Sequence, residues 1–219
     1  MYQLNFTFVW QNSQLLTSGL AVTLELSFVA LLLSVLVGIV GAYARISPFR
    51  PLSTAAAGYV EIVRNTPLLL VMYFVYFGLP SFHVTLAEGL AATVSLGFYS
   101  GAYMIEIFRA GILAIGRGQT EAGKALGLTG FQIARTVVLP QALRVVLPSM
   151  GNQFISLVKD SSIAVAISVR ELTYAAVRIN DISWRIFEVY SAVAVIYLAV
   201  TYALAVGLRV LESRLRYQT

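Results

Sequence analysis

The sequence predicts an all-α polytopic membrane protein with five transmembrane helices, the N-terminus outside and the C-terminus in the cytosol. Three observations carry this reading. Of 219 residues, 58% are hydrophobic and 11% are charged, against roughly 45–50% and 25% in a soluble globular domain. Five apolar stretches each supply the run of about 20 residues that a helix needs to cross hydrocarbon with its backbone groups paired. Basic residues gather at alternate connections, as they do on the cytosolic side of a membrane. The mean hydropathy of +0.81 removes disordered and collagen-like chains from consideration. With no cysteine and one histidine, disulfides, thiolate metal sites and multi-histidine sites within one chain are excluded.

The residues before Leu20 hold no Lys or Arg. They therefore lack the basic start of a signal peptide, and the apolar run that follows is too long for one. The first span is placed at Leu20–Ala44 and is expected to stay in the mature protein. Its Glu25 has no basic neighbour in sequence, so it either pairs with another helix or lines a polar path.

The second span is placed at Leu52–Gly78 and the third at Leu86–Ile115, with His83 in the loop between them as a solvated residue. Glu61 with Arg64, and Glu106 with Arg109, are opposite charges three apart on a helix, so each pair is expected to close locally and lower the cost of burial. Two roles remain open for them: fixing the packing, or gating a path by exchanging partners. The Gly97-x-x-x-Gly101 spacing lets another helix come close, within the chain or from a second copy.

The fourth span is placed at Val137–Val158. Asn152 and Gln153 fall near its middle, where unpaired amides are expensive, so they either bond another helix or bind a polar substrate. Gly151 exposes backbone beside them, and Pro140 and Pro148 are expected to disturb the helix and free carbonyls. The fifth span is Val189–Leu211. The whole chain, 1–219, reads as a single domain.

Orientation follows from the connections. Arg45 and Arg50 follow the first span, Arg117, Lys124 and Arg135 follow the third, and Arg209, Arg214 and Arg216 lie in the tail. On the other face Lys159, Arg170, Arg178 and Arg185 are offset by Asp160, Glu171, Asp181 and Glu188. The net charge of +5 suits anionic lipid, and no interleaved basic and aromatic patch points to nucleic acid.

The loop from about 116 to 136 changes from apolar to polar. Gln119–Leu126 favours helix, and Gly127 and Gly130 can end it, giving a short helix on the cytosolic face. Gly118–Ala125 falls short of a phosphate-binding loop: no strand precedes it, and Ala125 stands where a hydroxyl would hold magnesium. Ser156 and Lys159 have the spacing of some serine hydrolases, but Asp160 favours a charged, non-basic lysine.

Glu121, Ala122 and Gly123, then Gly127, then Leu139 and Pro140, resemble the E-A-A…G…I-x-L-P loop of ABC-importer permeases. Gly123 stands at a usual Ala, and Val137 at the Ile. In that family the loop is the coupling helix that sits in a groove of the ATPase subunit. The likeness extends over nearly the whole chain through Glu61 to Pro67, Ala102-Tyr103 with Glu106 and Arg109, Gly118-Gln119, Gly151-Asn152-Gln153 and Lys159 to Ser162. These phrases are similar to the polar amino acid branch, with Tyr76 to Pro80 and Trp184 to Tyr197 similar to glutamine permeases.

The resemblance implies a type I ABC importer permease in a bacterial cytoplasmic (inner) membrane, moving a polar amino acid, glutamine-like or glutamate, by alternating access. It implies a second permease subunit, identical or different, two cytosolic ABC ATPases and an external substrate-binding protein. No cofactor is expected on this chain, with ATP and Mg in the ATPase, and no covalent chemistry. The alternatives are a secondary amino acid transporter or channel subunit, for which neither inverted repeats nor paired broken helices are visible, and an intramembrane enzyme, for which metal ligands and mid-span aspartates are missing.

Overall fold

A computed structural model describes residues 3–215, all of whose regular structure is helical. A short α1 (Thr7–Gln11) precedes the long α2 (Ser13–Ile46), followed by α3 (Arg50–Arg64) and α4 (Leu68–Tyr73). A π-helical turn (Phe74–Gly78) and a 3-10 turn (Leu79–Phe82) extend α4. Then come α5 (Glu88–Leu113), α6 (Arg117–Ala125), α7 (Gly130–Ile133), α8 (Leu139–Asp160), α9 (Leu172–Ser183) and α10 (Ile186–Leu215). Arg216, counted above among the basic tail residues, lies outside the described residues.

The bundle is built on α2 and α5, which run side by side in the same direction. A Cβ added to Gly97 would stand 2.5 Å from Leu33, and one added to Gly101 would stand 2.6 Å from Val37. The Gly-x-x-x-Gly spacing therefore serves contact within the chain, letting α2 lie against α5 at backbone range. On the other face of α5, Gly111 meets Val146, while Gln153 bonds Ser100, so α8 runs antiparallel to α5. Gly151 seats Leu208 of α10, which reverses direction again. Apolar side chains such as Leu26, Met72, Leu96 and Leu157 fill the space between these helices.

Among the described residues, α2, α5 and Ile186–Arg214 are long and apolar enough to cross a membrane. Residues 50–64 and 68–82 qualify only as a pair, bent by 106°. The second expected span is thus not one continuous helix. Pro67 lacks a backbone donor and drives Thr66 out of helical conformation. Asn65 Nδ2 donates to the Glu61 carbonyl at 2.8 Å, and Thr66 Oγ1 donates at 2.7 Å to the Ile62 carbonyl, an acceptor that the break leaves open.

The fourth expected span does not meet that length and apolarity test. Its helix nevertheless continues through Pro148 from Leu139 to Asp160, so the expected disturbance there does not open it, and the irregularity is a π-helical turn at Ala134–Val138 before Pro140. Neighbouring helices and local adjustment commonly tolerate proline in this way.

In the last connection, expected as a charged loop, α9 is a helix capped by Glu171. That carboxylate accepts from Thr173 N at 2.8 Å, Tyr174 N at 2.7 Å and the Tyr197 hydroxyl at 2.9 Å, and the Leu172 amide donates to Thr23 Oγ1 at 3.1 Å. Glu171 and Glu188 are fully buried, and Glu188 offsets Arg185 directly, Nη1 to Oε1 at 3.1 Å. Burial pushes the Glu171 carboxyl above its usual range, against the opposing pull of its hydrogen bonds.

Candidate translocation cleft and cytosolic elbow

Arg64, the last residue of α3, lies against α5. Its guanidinium carbon lies 5.0 Å from the centroid of the Tyr103 ring, within cation–π range. Among the described residues it makes no ion pair with Glu61, so the expected local closure of that pair does not form. A cleft of about 310 Å³ opens between Glu61, Arg64, Asn65 and Tyr103. A second, of about 470 Å³, shares Arg64 and Tyr103 and extends past Glu106 to Ser149 and Gln153 of α8. Both fall in the range of clefts that hold small ligands, roughly 300–1,000 Å³.

One face of α5 supplies the wall. Tyr99, Tyr103 and Glu106 recur at helical spacing, and the two tyrosine hydroxyls lie 3.3 Å apart. Glu106 closes on Arg109 at 2.7 Å, as its spacing predicts, and also holds Arg45 of α2 at 3.3 Å. This bridge between helices was invisible in sequence, where Arg45 counts only as a basic loop residue.

Gln153 Nε2 donates to Ser100 Oγ at 3.0 Å, so this amide both bonds another helix and borders the larger cleft. Asn152 is exposed, and Gly151 faces α10 away from α5. Glu25 is exposed on α2 and does not border either cleft. Tyr103 and Ser149 were missed as site residues, although the spacing of Tyr99, Tyr103 and Glu106 marks one polar face.

At the end of α5 the chain forms an elbow. α6 ends at Gly127, whose φ of +75° suits glycine and whose N–H donates to the Lys124 carbonyl at 2.9 Å. Thr129 and Gln132 then form a capping box that starts α7. Gly123 is buried against Ile133, and a Cβ there would stand 2.8 Å from Ile133 Cγ1. Gly123 thus sets the closeness of α6 to α7, while Glu121 and Ala122 face outward. Leu139 is half-buried against the bundle, and Pro140 is exposed. Leu126 and Phe131 stand out from the elbow, 79% and 73% exposed.

The chain is similar to known proteins over nearly its whole length. Residues 34–217 match the family described as "Binding-protein-dependent transport system inner membrane component". The chain is 38% identical over 216 residues to the glutamine transport system permease protein GlnP of Escherichia coli (strain K12), covering 98% of this chain and 99% of that protein. It is 36% identical over 202 residues to the L-cystine transport system permease protein TcyB of Bacillus subtilis (strain 168), covering 92% and 86%. A crystal structure of an amino acid ABC transporter with histidines superposes with a TM-score of 0.92 at 36% identity, covering 97% of this chain and 100% of that one.

Proposed function

Because this chain belongs to the family of binding-protein-dependent transport system inner membrane components, we propose that it passes a polar amino acid along the cleft between α3, α5 and α8. It is a transmembrane subunit of an amino acid ABC importer. The observation that carries the path is the cleft at the end of α3, just before the 106° bend, where Glu61 and Arg64 share one lining without pairing. A zwitterion needs one group of each sign, and discontinuous helices commonly present such groups inside a membrane. Gln153, neutral and already bonded to Ser100, suits an uncharged amide side chain better than a cation. That favours glutamine-like substrates.

In this reading the five helical segments cross the membrane with the N-terminus outside, which places Arg45, Arg50, Arg117, Lys124 and Arg135 on the cytosolic side. The setting is a bacterial inner membrane. The elbow around Glu121, Ala122, Gly123 and Gly127 docks into an ATPase subunit, with Leu126 and Phe131 as its apolar contacts. Two such ATPases carry ATP and Mg, a second permease subunit completes the path, and an external binding protein delivers the substrate. ATP binding biases a two-state arrangement of the helices and so moves the cleft between the two sides.

The test is uptake of radiolabelled glutamine into liposomes holding the permease, its ATPase and the binding protein. ATP-dependent uptake, outcompeted by glutamine but not by arginine, is expected. Uptake by this chain alone under an ion gradient overturns the reading.

A further inference from the structure

The two tryptophans of the chain, Trp10 and Trp184, are far apart in sequence and lie at the same end of the bundle. Since α2 and α5 run in the same direction, α1 at the head of α2 lies at the end opposite the elbow that follows α5. α1 touches α2, α9 and α10. Phe8 and Val9 turn inward onto a cluster that includes Leu16, Leu172 and Ile179. The preceding chain is tied to the start of α10: Asn5 N donates to Glu188 Oε1 at 3.0 Å, and Arg185 Nη1 donates to the Gln3 carbonyl at 2.7 Å. With its neighbours held inward, Trp10 is left 76% exposed.

Trp184 closes α9 and is 87% exposed. Its φ is +55°, and its N–H donates to the Asn180 carbonyl at 2.8 Å. A bulky side chain is strained in this left-handed region, which glycine or asparagine occupies far more readily. The indole makes almost no contact inside the chain to offset that strain. Strain of this kind points to a role outside the fold.

We propose that this corner is a foot that seats in the headgroup region of the bilayer, with both indoles at the boundary between acyl chains and water. Tryptophan suits that boundary because one edge of the ring is apolar and the other donates a hydrogen bond. Ile182, Ile186 and Phe187 at the same corner are each at least 60% exposed. They continue directly into the outward surface of α10, where Leu198 and Tyr202 are also bare and only 6% of the most apolar stretch is buried. A surface of that composition lies in hydrocarbon, so its first turn marks where the hydrocarbon ends. Exposed Arg178 and Asp181 on the preceding turns of α9 supply the polar side. The foot does not depend on which substrate the cleft carries.

Tryptophan emission, excited at the red edge where tyrosine does not absorb, tests it directly, because the chain has two tryptophans. W10F and W184F each leave one indole. Each variant is reconstituted in phosphatidylcholine vesicles whose acyl chains carry bromine near the headgroup, bromine near the chain end, or no bromine. Both indoles are expected to lose most of their emission to the shallow bromine, much less to the deep bromine, and little to aqueous iodide. An indole quenched by iodide and indifferent to both bromines overturns the proposal, as does one quenched more by the deep bromine. Shielding from iodide that arises only when an external binding protein is added also overturns it, and makes the corner a protein docking face.

Discussion

Arg64 lies with its guanidinium carbon 5.0 Å from the centroid of the Tyr103 ring, so a residue from one side of the helix break is held by a residue of the central helix α5. An exposed cation–π contact is worth roughly 0.5–1 kcal/mol and a desolvated one about 2. Y103L is expected to lower uptake several-fold while leaving the amount of protein in the membrane unchanged. R64A is expected to lower it further, because it also removes the cleft's cation. Uptake normalised to membrane abundance separates the two roles: a fall in abundance that accounts for the whole loss makes this contact a packing device only.

The elbow offers a compensation test. G123L is expected to push α6 off α7 and abolish co-purification with the ATPase, since the added side chain enters the space of Ile133. G123A places one methyl there, and pairing it with I133V is expected to restore ATPase binding better than G123A alone. Non-additivity in the double variant is the signature of direct contact. If G123L retains full ATPase binding, Gly123 does not set the geometry of the elbow.

Overpacking costs typically 1–3 kcal/mol, and the α2–α5 crossing has no slack for it. G101V is expected to lower the thermal midpoint of the detergent-solubilised protein, and V37A to recover part of the loss, because a Cβ at 101 would stand 2.6 Å from Val37. A midpoint unchanged by G101V would show that the helices separate readily at this contact.

Glu171 gives a pH dependence. Its carboxyl is raised above its usual range by burial, so the folded state holds the proton more tightly than the unfolded one. The stability linked to this group is complete below the ordinary carboxylate value, about 4.3, and is lost as pH rises through the folded value. The thermal midpoint is expected to fall over that window, and E171Q, which cannot ionise, is expected to flatten the fall. Parallel profiles for both proteins would rule out Glu171 as the source.

The helix of the elbow was legible because every signal for it is local: helix-favouring residues from Gln119 and a glycine at 127 where the chain must turn. The Glu106–Arg109 pair was legible for the same reason. Arg45 joining that pair was not, since 61 residues separate it from Glu106. α9 was hidden because its cap is buried by partners from distant helices, Thr23 and Tyr197, whereas sequence shows Glu171 only as a charge in a charged loop. The break in the second span had a visible sign in Thr66-Pro67, overridden by the apolar run on either side. Gln153 shows the limit most plainly: its residue type and depth singled it out, but only the fold shows that it bonds Ser100 and borders the cleft at once.

Leu33 and Val37 rest in successive notches cut by Gly97 and Gly101. Notches four residues apart lie about 6 Å apart along a helix, and intermediate positions would drive methyl groups into backbone. The two helices therefore behave as a detent, seated or displaced by a whole step, with no smooth creep between. Any stroke smaller than that must leave α2 and α5 travelling as one beam, with the flexing confined to the joints around it.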